Sequence, residues 1–256
     1  MNKVIKINFL TIFPNIFNSY FDESILKRAQ QKKLVKFNIL NIRDYAIDRH
    51  RITDDKPYGG GAGMVMKVEP IFKALGSLGV IACPKRSRGR GNPSQKRRII
   101  LLSAKGKIFT QRDAARLAKY GSLTFVCGHY EGVDERVKKF VDEEISVGEY
   151  VLTGGELPAM VIADAITRLV PGVIRAESLK EESYSKMQNT VPKMWNKKIQ
   201  NSKFKIRRFK EYPQYTRPEI FEYKENGKKK TLKVPSVLLS GDHREIKEWR
   251  EKNTPY

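Results

Sequence analysis

Short runs rich in β-branched and aromatic residues, KINFL at 6–10, FNIL at 37–40, IILL at 99–102 and LTFV at 123–126, alternate with longer stretches of helical period. Runs of this length predict strands, and their alternation with helices predicts a largely parallel sheet in an α/β domain. Between two of them, TQRDAARLAKY at 110–120 opens on Thr110, whose hydroxyl can cap a helix, and sets Ala114, Leu117 and Ala118 at helical spacing. That pattern predicts a surface helix joining two strands. The plainest helix is ELPAMVIADAITRLV at 156–170. Pro158 suits its first turn, Leu157, Val161, Ile162, Ala165, Ile166 and Leu169 form a broad apolar face, and Pro171-Gly172 ends it.

From about 175 to 211 the period fades into polar and then basic residues, the composition of a flexible linker or an insertion. Pattern returns near Tyr212 with a turn at Glu225-Asn226-Gly227, an apolar VPSVLLSG and a final short helical segment. The expected organisation is a main domain over 1–174, a basic linker over 175–211 and a small C-terminal module over 212–256.

Charge changes this picture. The 256 residues hold 50 Lys and Arg against 28 Asp and Glu, a formal net charge of +22. That excess points to a polyanionic partner bound through counterion release. A Lys-rich composition can also follow from codon usage, but clustering argues otherwise. Lys85 to Arg98 carries seven basic residues and Lys193 to Lys210 eight, neither with an acid, and the second interleaves Trp195, Phe204 and Phe209. Aromatic rings among cations can stack unpaired bases while engaging phosphates.

The two cysteines, Cys83 and Cys127, lack metal-partner spacing, so neither a zinc site nor a disulfide framework is expected. No cleavable leader follows the N-terminal apolar stretch, and no apolar run reaches the roughly 18 residues of a membrane span. A soluble, cytoplasmic protein without a membrane is expected.

Four segments concentrate Gly with polar residues: PYGGGAGMVM at 57–66, LLSAKG at 101–106, VCGHYEGVDER at 126–136 and SVGEYVLTGGELPAM at 146–160. In open α/β sheets, Gly-rich loops at the carboxyl ends of strands let backbone groups approach a ligand, so a small-molecule pocket is expected. Neither a GxxxxGK[ST] loop nor a strand-borne GxGxxG with its ribose-binding acid occurs in order.

The order and spacing of DRHRITDDKPYGGGAGMVM, CGHYEGVDER, VGEYVLTGGELPAM, ITRLVPGV, YPQYTRPE and VPSVLLSGDH resemble the bacterial tRNA (guanine-N1)-methyltransferase family, TrmD. The resemblance covers most of residues 1–175 and resumes over 212–250, leaving the basic stretches as insertions. It implies an α/β fold whose parallel sheet carries a deep C-terminal trefoil knot of the SPOUT type, with a small, shortened, mainly helical C-terminal module. It further implies a homodimer with active sites between subunits. The activity implied is methyl transfer from S-adenosylmethionine to N1 of the guanosine immediately 3′ of a tRNA anticodon, which supports reading-frame maintenance. Magnesium dependence is left open.

Carried over by motif, the cofactor residues are Leu101, Leu102 and Ser103, then Gly128, Tyr130 and Glu131, then Val147, Gly148, Tyr150, Leu152, Gly154, Gly155 and Pro158. Removing the N1 proton needs a base, which the resemblance places in Glu181-Glu182-Ser183-Tyr184, with Glu182 where the family usually has Asp. Glu181 and Glu177 stay as alternatives, because the segment is one residue shorter than usual. Arg168 matches a position linked to catalysis, where a guanidinium would stabilise charge on guanine O6. Asp54 matches a position that helps bind or orient tRNA. His129 stands where Arg is common and reads as loop structure or tRNA contact, and Cys127 reads as a buried structural thiol. The DRHRITDD and YTRPE motifs argue against a knotted methyltransferase acting on ribosomal RNA.

Overall fold

The computed structural model describes residues 4–60, 62–81, 96–175, 178, 179, 213, 215–226 and 228–253. The chain divides into two compact units, Met1–Ala176 and Glu177–Tyr256.

Each predicted apolar run of the first unit lies in a strand. β1 (Ile5–Thr11), β2 (Val35–Asn41), β5 (Arg97–Ile108), β6 (Ser122–Cys127) and β7 (Glu143–Ser146) make one parallel sheet in the order β2-β1-β6-β5-β7. β3 (Asp54–Asp55) and β4 (Val65–Met66) form a separate antiparallel pair. The helices are α1 (Asn18–Phe21), α2 (Ser24–Gln31), α3 (Val68–Ser77), α4 (Gln111–Leu117) and α5 (Glu156–Arg168). β7, with the sequence EEIS, is too short and acidic to signal a strand by itself.

The strands read as unbroken apolar runs because both faces of the sheet are covered. Phe9, Ile100, Leu102 and Phe125 enter one core with Ala159, Ile162 and Ile166 of α5. Their neighbours Leu10, Ile99, Leu101 and Val126 enter a second core with Ile71 and Leu75 of α3. Successive residues of a strand point to opposite faces, so a two-sided sheet needs apolar residues at every position. Phe9 packs with Phe17, Phe21, Phe37 and Phe125 at ring separations of 4.9 to 6.0 Å.

One polar ladder interrupts the apolar interior. Buried Asn8 donates to Leu123 O at 3.2 Å and Thr124 Oγ1 at 3.1 Å, and accepts from Asn38 Nδ2 at 2.8 Å. Asn38 and Thr124 are its register partners on β2 and β6, so a one-residue slip of either strand would orphan a buried amide.

The predicted cap of α4 is present: Thr110 and Asp113 form a reciprocal capping box. α5 departs from its predicted face. Leu157 and Val161 are 48% and 54% exposed, while Ala159, Ile162, Ala163 and Ile166 turn inward. A helix that is apolar on two sides reads as one broad stripe, and periodicity cannot say which side meets the sheet.

In the second unit the described residues are less helical than expected. β8 (Ile220–Glu225) and β9 (Lys228–Lys233) pair as an antiparallel hairpin, followed by α6 (His243–Lys252), whose amides Asp242 caps. The turn at 225–227 was legible, but KKKTLK carries too little apolar pattern to signal a strand.

Candidate cofactor cleft

Three chain segments meet at the carboxyl ends of the central strands. β5 bulges: Leu102 and Lys107 both oppose Ile145, so residues 103–106 loop out of the ladder. Gly106 makes this fit, since a Cβ there would lie 2.6 Å from the Ile145 nitrogen. The 128–133 loop follows β6, and the segment from Ser146 to Gly155 joins β7 to α5. They enclose an open cleft of about 290 Å³, walled by apolar Leu101, Leu102, Val147, Leu152 and Pro158 and edged by Tyr130.

Of the thirteen residues carried over by motif, every one but Gly148 lines this cleft. Gly148 sits under the exposed Tyr150 ring, which a side chain there would displace. The two Gly-rich loops touch backbone to backbone. Gly155 N donates to Gly128 O at 2.8 Å, and a Cβ on Gly155 would come 2.8 Å from Cys127 Cα. Tyr130 is held at φ +58°, a conformation rare for a bulky side chain, which marks a tightly specified loop.

The GGGAG region is tied to the same loop. Glu131 N donates to Met64 O at 3.1 Å and Met66 N to Gly132 O at 3.0 Å. The Glu131 side chain lies over Gly63, where a Cβ would approach its carboxylate to 2.5 Å. Asp54, half-buried in β3, pairs with Met66 and therefore stands one strand away from the cleft loop without lining the cleft. Its neighbour Asp55 holds Lys67 at 3.2 Å and, with Tyr58 and Arg136, lines a second cleft of about 650 Å³ that shares Val133 and Glu135 with the first.

Arg168 is placed elsewhere. It is the last of the 13 residues of α5, while the cleft meets the first turn. At 1.5 Å per residue about 15 Å along the axis separates Arg168 from Pro158, the α5 residue that lines the cleft. Glu177, Glu181 and Glu182 lie outside the described residues, as do Cys83, residues 85–95 and the stretch from Lys193 to Lys210. Of the first basic stretch, Arg97 donates to Gly79 O at 3.0 Å and Arg98 to Glu143 at 3.0 Å, so these two cations hold the fold together.

One expectation about the β6 end is met. Cys127 is fully buried, and burial followed by the nearby Glu156 carboxylate pushes its thiol well above the ordinary range, which suits a structural role. His129 packs within the loop and lines the cleft, with its Nδ1 buried and 3.8 Å from Glu156 Oε2. Glu156, in the first turn of α5 and 4% exposed, accepts a hydrogen bond from Thr11 Oγ1 at 2.7 Å. Sequence reasoning passed over Thr11, Phe13 and Glu156. Glu156 stood inside a quoted motif, at a helix start that favours a carboxylate, but nothing local said what it faces.

An open parallel sheet, helices on both faces and a Gly-lined cleft at the strand ends define an α/β protein whose cleft lies at the carboxyl edge of the sheet, where folds of this kind hold small ligands. The profile of the family described as tRNA (Guanine-1)-methyltransferase TrmD matches residues 5–255, and the chain belongs to that family. Relatives named tRNA (guanine-N(1)-)-methyltransferase include one from Dictyoglomus turgidum, 46% identical over 97% of this chain and 84% of its own length. Another from Mycoplasmopsis synoviae is 47% identical over 96% of this chain and 90% of its own length. A third, from Carboxydothermus hydrogenoformans, is 46% identical over 97% and 82%.

Proposed function

We propose that this chain methylates N1 of the guanosine immediately 3′ of the anticodon in tRNA, with S-adenosylmethionine as donor, and thereby supports reading-frame maintenance. The observation that carries the reading is the convergence of three motif-bearing segments on one cleft in a chain of this family. The cleft fits the donor in kind. Its apolar walls and close-approaching glycines suit an adenine read by backbone groups, and Glu131 offers it a carboxylate suited to a cationic donor, while Glu135 and Glu144, also in the lining, are paired with Lys138 at 2.7 and 3.0 Å. When bound, S-adenosylmethionine supplies the methyl group.

The chain's own residues supply the rest. The Glu182 carboxylate would take the N1 proton that the methyl group replaces. The Arg168 guanidinium stabilises the charge that develops on guanine O6, and Asp54 orients the tRNA. About 15 Å of helix separates Arg168 from Pro158, the α5 residue that lines the cleft, and in this reading a second copy presents it to the guanine. A homodimer with active sites between subunits supplies that copy, and the exposed Leu157, Val161 and Val151 provide apolar surface for it. The sheet is read as carrying the family's trefoil knot, and the protein as working in the cytoplasm.

RNA binding is supported in the second unit. β9 carries Lys228, Lys229, Lys230 and Lys233 on an exposed ribbon, and the Phe221 and Tyr223 rings stack at 5.9 Å and 16° on one face. Rings flanked by lysines suit stacking on bases beside phosphates.

The test is methyl incorporation from labelled S-adenosylmethionine into a tRNA transcript with guanosine immediately 3′ of the anticodon, against the same transcript with adenosine there. Guanosine-dependent labelling is expected. No labelling of either transcript removes the activity, and equal labelling moves the target to another nucleotide.

A further inference from the structure

Two groups beside the cleft have no part in the chemistry above. Glu156 is a carboxylate buried in the first turn of α5, and His129 Nδ1 is a buried nitrogen without a hydrogen-bond partner. A buried charge is costly unless it is paired. Thr11 Oγ1 satisfies Glu156 Oε1 and itself accepts from Phe13 N at 2.9 Å, which leaves Oε2 facing Nδ1 at 3.8 Å. A ring nitrogen facing a carboxylate carries the hydrogen, so Nδ1 is read as the donor. Moving the two groups together by about 1 Å brings them to hydrogen-bond distance.

The imidazole is also fixed in place. Phe13 packs against it edge-on at 4.9 Å and Tyr130 at 5.1 Å, and His129 N meets Met66 Sδ at 3.2 Å. His129 bridges Gly154 through the backbone, and a Cβ on Gly154 would collide with both Glu156 and the imidazole. The pair therefore lies where the two Gly-rich loops that line the cleft meet. Thr11 anchors the pair to the end of β1, the neighbour of β6 in the sheet.

The geometry points to His129 as a positioning residue for the cofactor: its Nδ1–H, directed at Glu156, holds the 128–132 loop against the 153–155 turn and so sets the cleft for the donor. This rests on the donor proposed above. If the 3.8 Å gap closes to a charge-assisted hydrogen bond when the donor binds, variants that cannot form it lose about tenfold or more in binding.

The experiment is calorimetric binding of S-adenosylmethionine to the full chain, with KM and kcat measured for each substrate. His129→Ala is expected to raise the cofactor Kd and KM about tenfold while the KM for tRNA stays put. Asn carries its amide nitrogen near the Nδ1 position and Gln near the Nε2 position, so His129→Asn should recover binding and His129→Gln should not. If the ring matters only through its packing on Phe13 and Tyr130, Asn will be as impaired as Ala, which overturns the inference. Glu156→Gln keeps an acceptor for Thr11 but loses the charge, and its effect should not add to that of His129→Ala. Additive losses, or parental Kd in every His129 variant, also overturn the inference. Failure of the parental chain to bind S-adenosylmethionine overturns the donor reading, and this inference with it.

Discussion

The two units reach order by different means. In the first, helices cover both faces of a five-stranded sheet, and residues such as Phe9, Phe125, Ile100 and Ile162 are wholly buried. In the second, none of the described residues is buried. Its hairpin exposes Ile220, Phe221 and Leu232 to at least half of their surface, and an isolated two-stranded ribbon is only marginally stable in water. The first unit can build a cleft from its own packing. The second presents aromatic and cationic side chains on an exposed ribbon. By sequence the proposed base falls in the second unit and the cleft in the first.

The sharpest way to test that division is Glu182→Gln. Methyl transfer should fall at least about a hundredfold while calorimetry shows unchanged cofactor binding. Near-parental turnover would remove Glu182, and the same change at Glu181 and Glu177 would then locate the base. Next comes Arg168→Lys, which keeps the charge but loses the fork and should lower kcat on the order of a hundredfold. Coexpressing an Arg168→Ala chain with a Glu131→Gln chain should restore turnover that neither has alone, because a mixed dimer holds one intact site. No complementation would mean that one copy supplies both residues.

Replacing Lys228, Lys229, Lys230 and Lys233 with Ser should raise the KM for tRNA about tenfold and flatten its salt dependence, since each phosphate contact adds roughly one to the slope. Cofactor binding should not change. An unaltered salt series would make the hairpin a bystander.

The smallest effect concerns stability in the first unit. Burial alone would raise the Glu143 carboxyl, but hydrogen bonds from Arg116 and Arg98 outweigh it and hold the group below its ordinary value of 4.5. A depressed carboxylate adds stability that is complete above 4.5 and is lost as pH falls through the folded value. Glu143→Gln should therefore cost about 2 kcal/mol near neutrality and reduce the loss of stability on acidification. Thermal melts across pH check both. Parallel curves for parent and variant would show that the ion pairs of β5, α4 and β7 contribute little.

Much of the first unit was legible because its signals are local. Thr110 followed by Asp113 announces a helix start, and IILL or LTFV announces a strand. The order of the Gly-rich motifs also anticipated which residues meet in the cleft, Gly148 apart. β7 escaped because four residues, two of them Glu, carry no period, and the hairpin escaped because its second strand is mostly Lys. The exposed side of α5 escaped because Leu157 and Val161 look the same whether they meet a sheet or another chain.

The sequence by itself determined the α/β class, the cap of α4, the basic character and the motifs that mark the family. The tertiary structure decided which residues face one another. Thr11, His129 and Glu156 lie far apart in the chain and meet only because β1 neighbours β6 and α5 begins where both strands end. Strand order is a property of the whole sheet, and a local period of two or 3.6 residues does not encode it. The same holds for Arg168, whose helix was plain in the sequence and whose distance from the cleft follows only from where that helix begins.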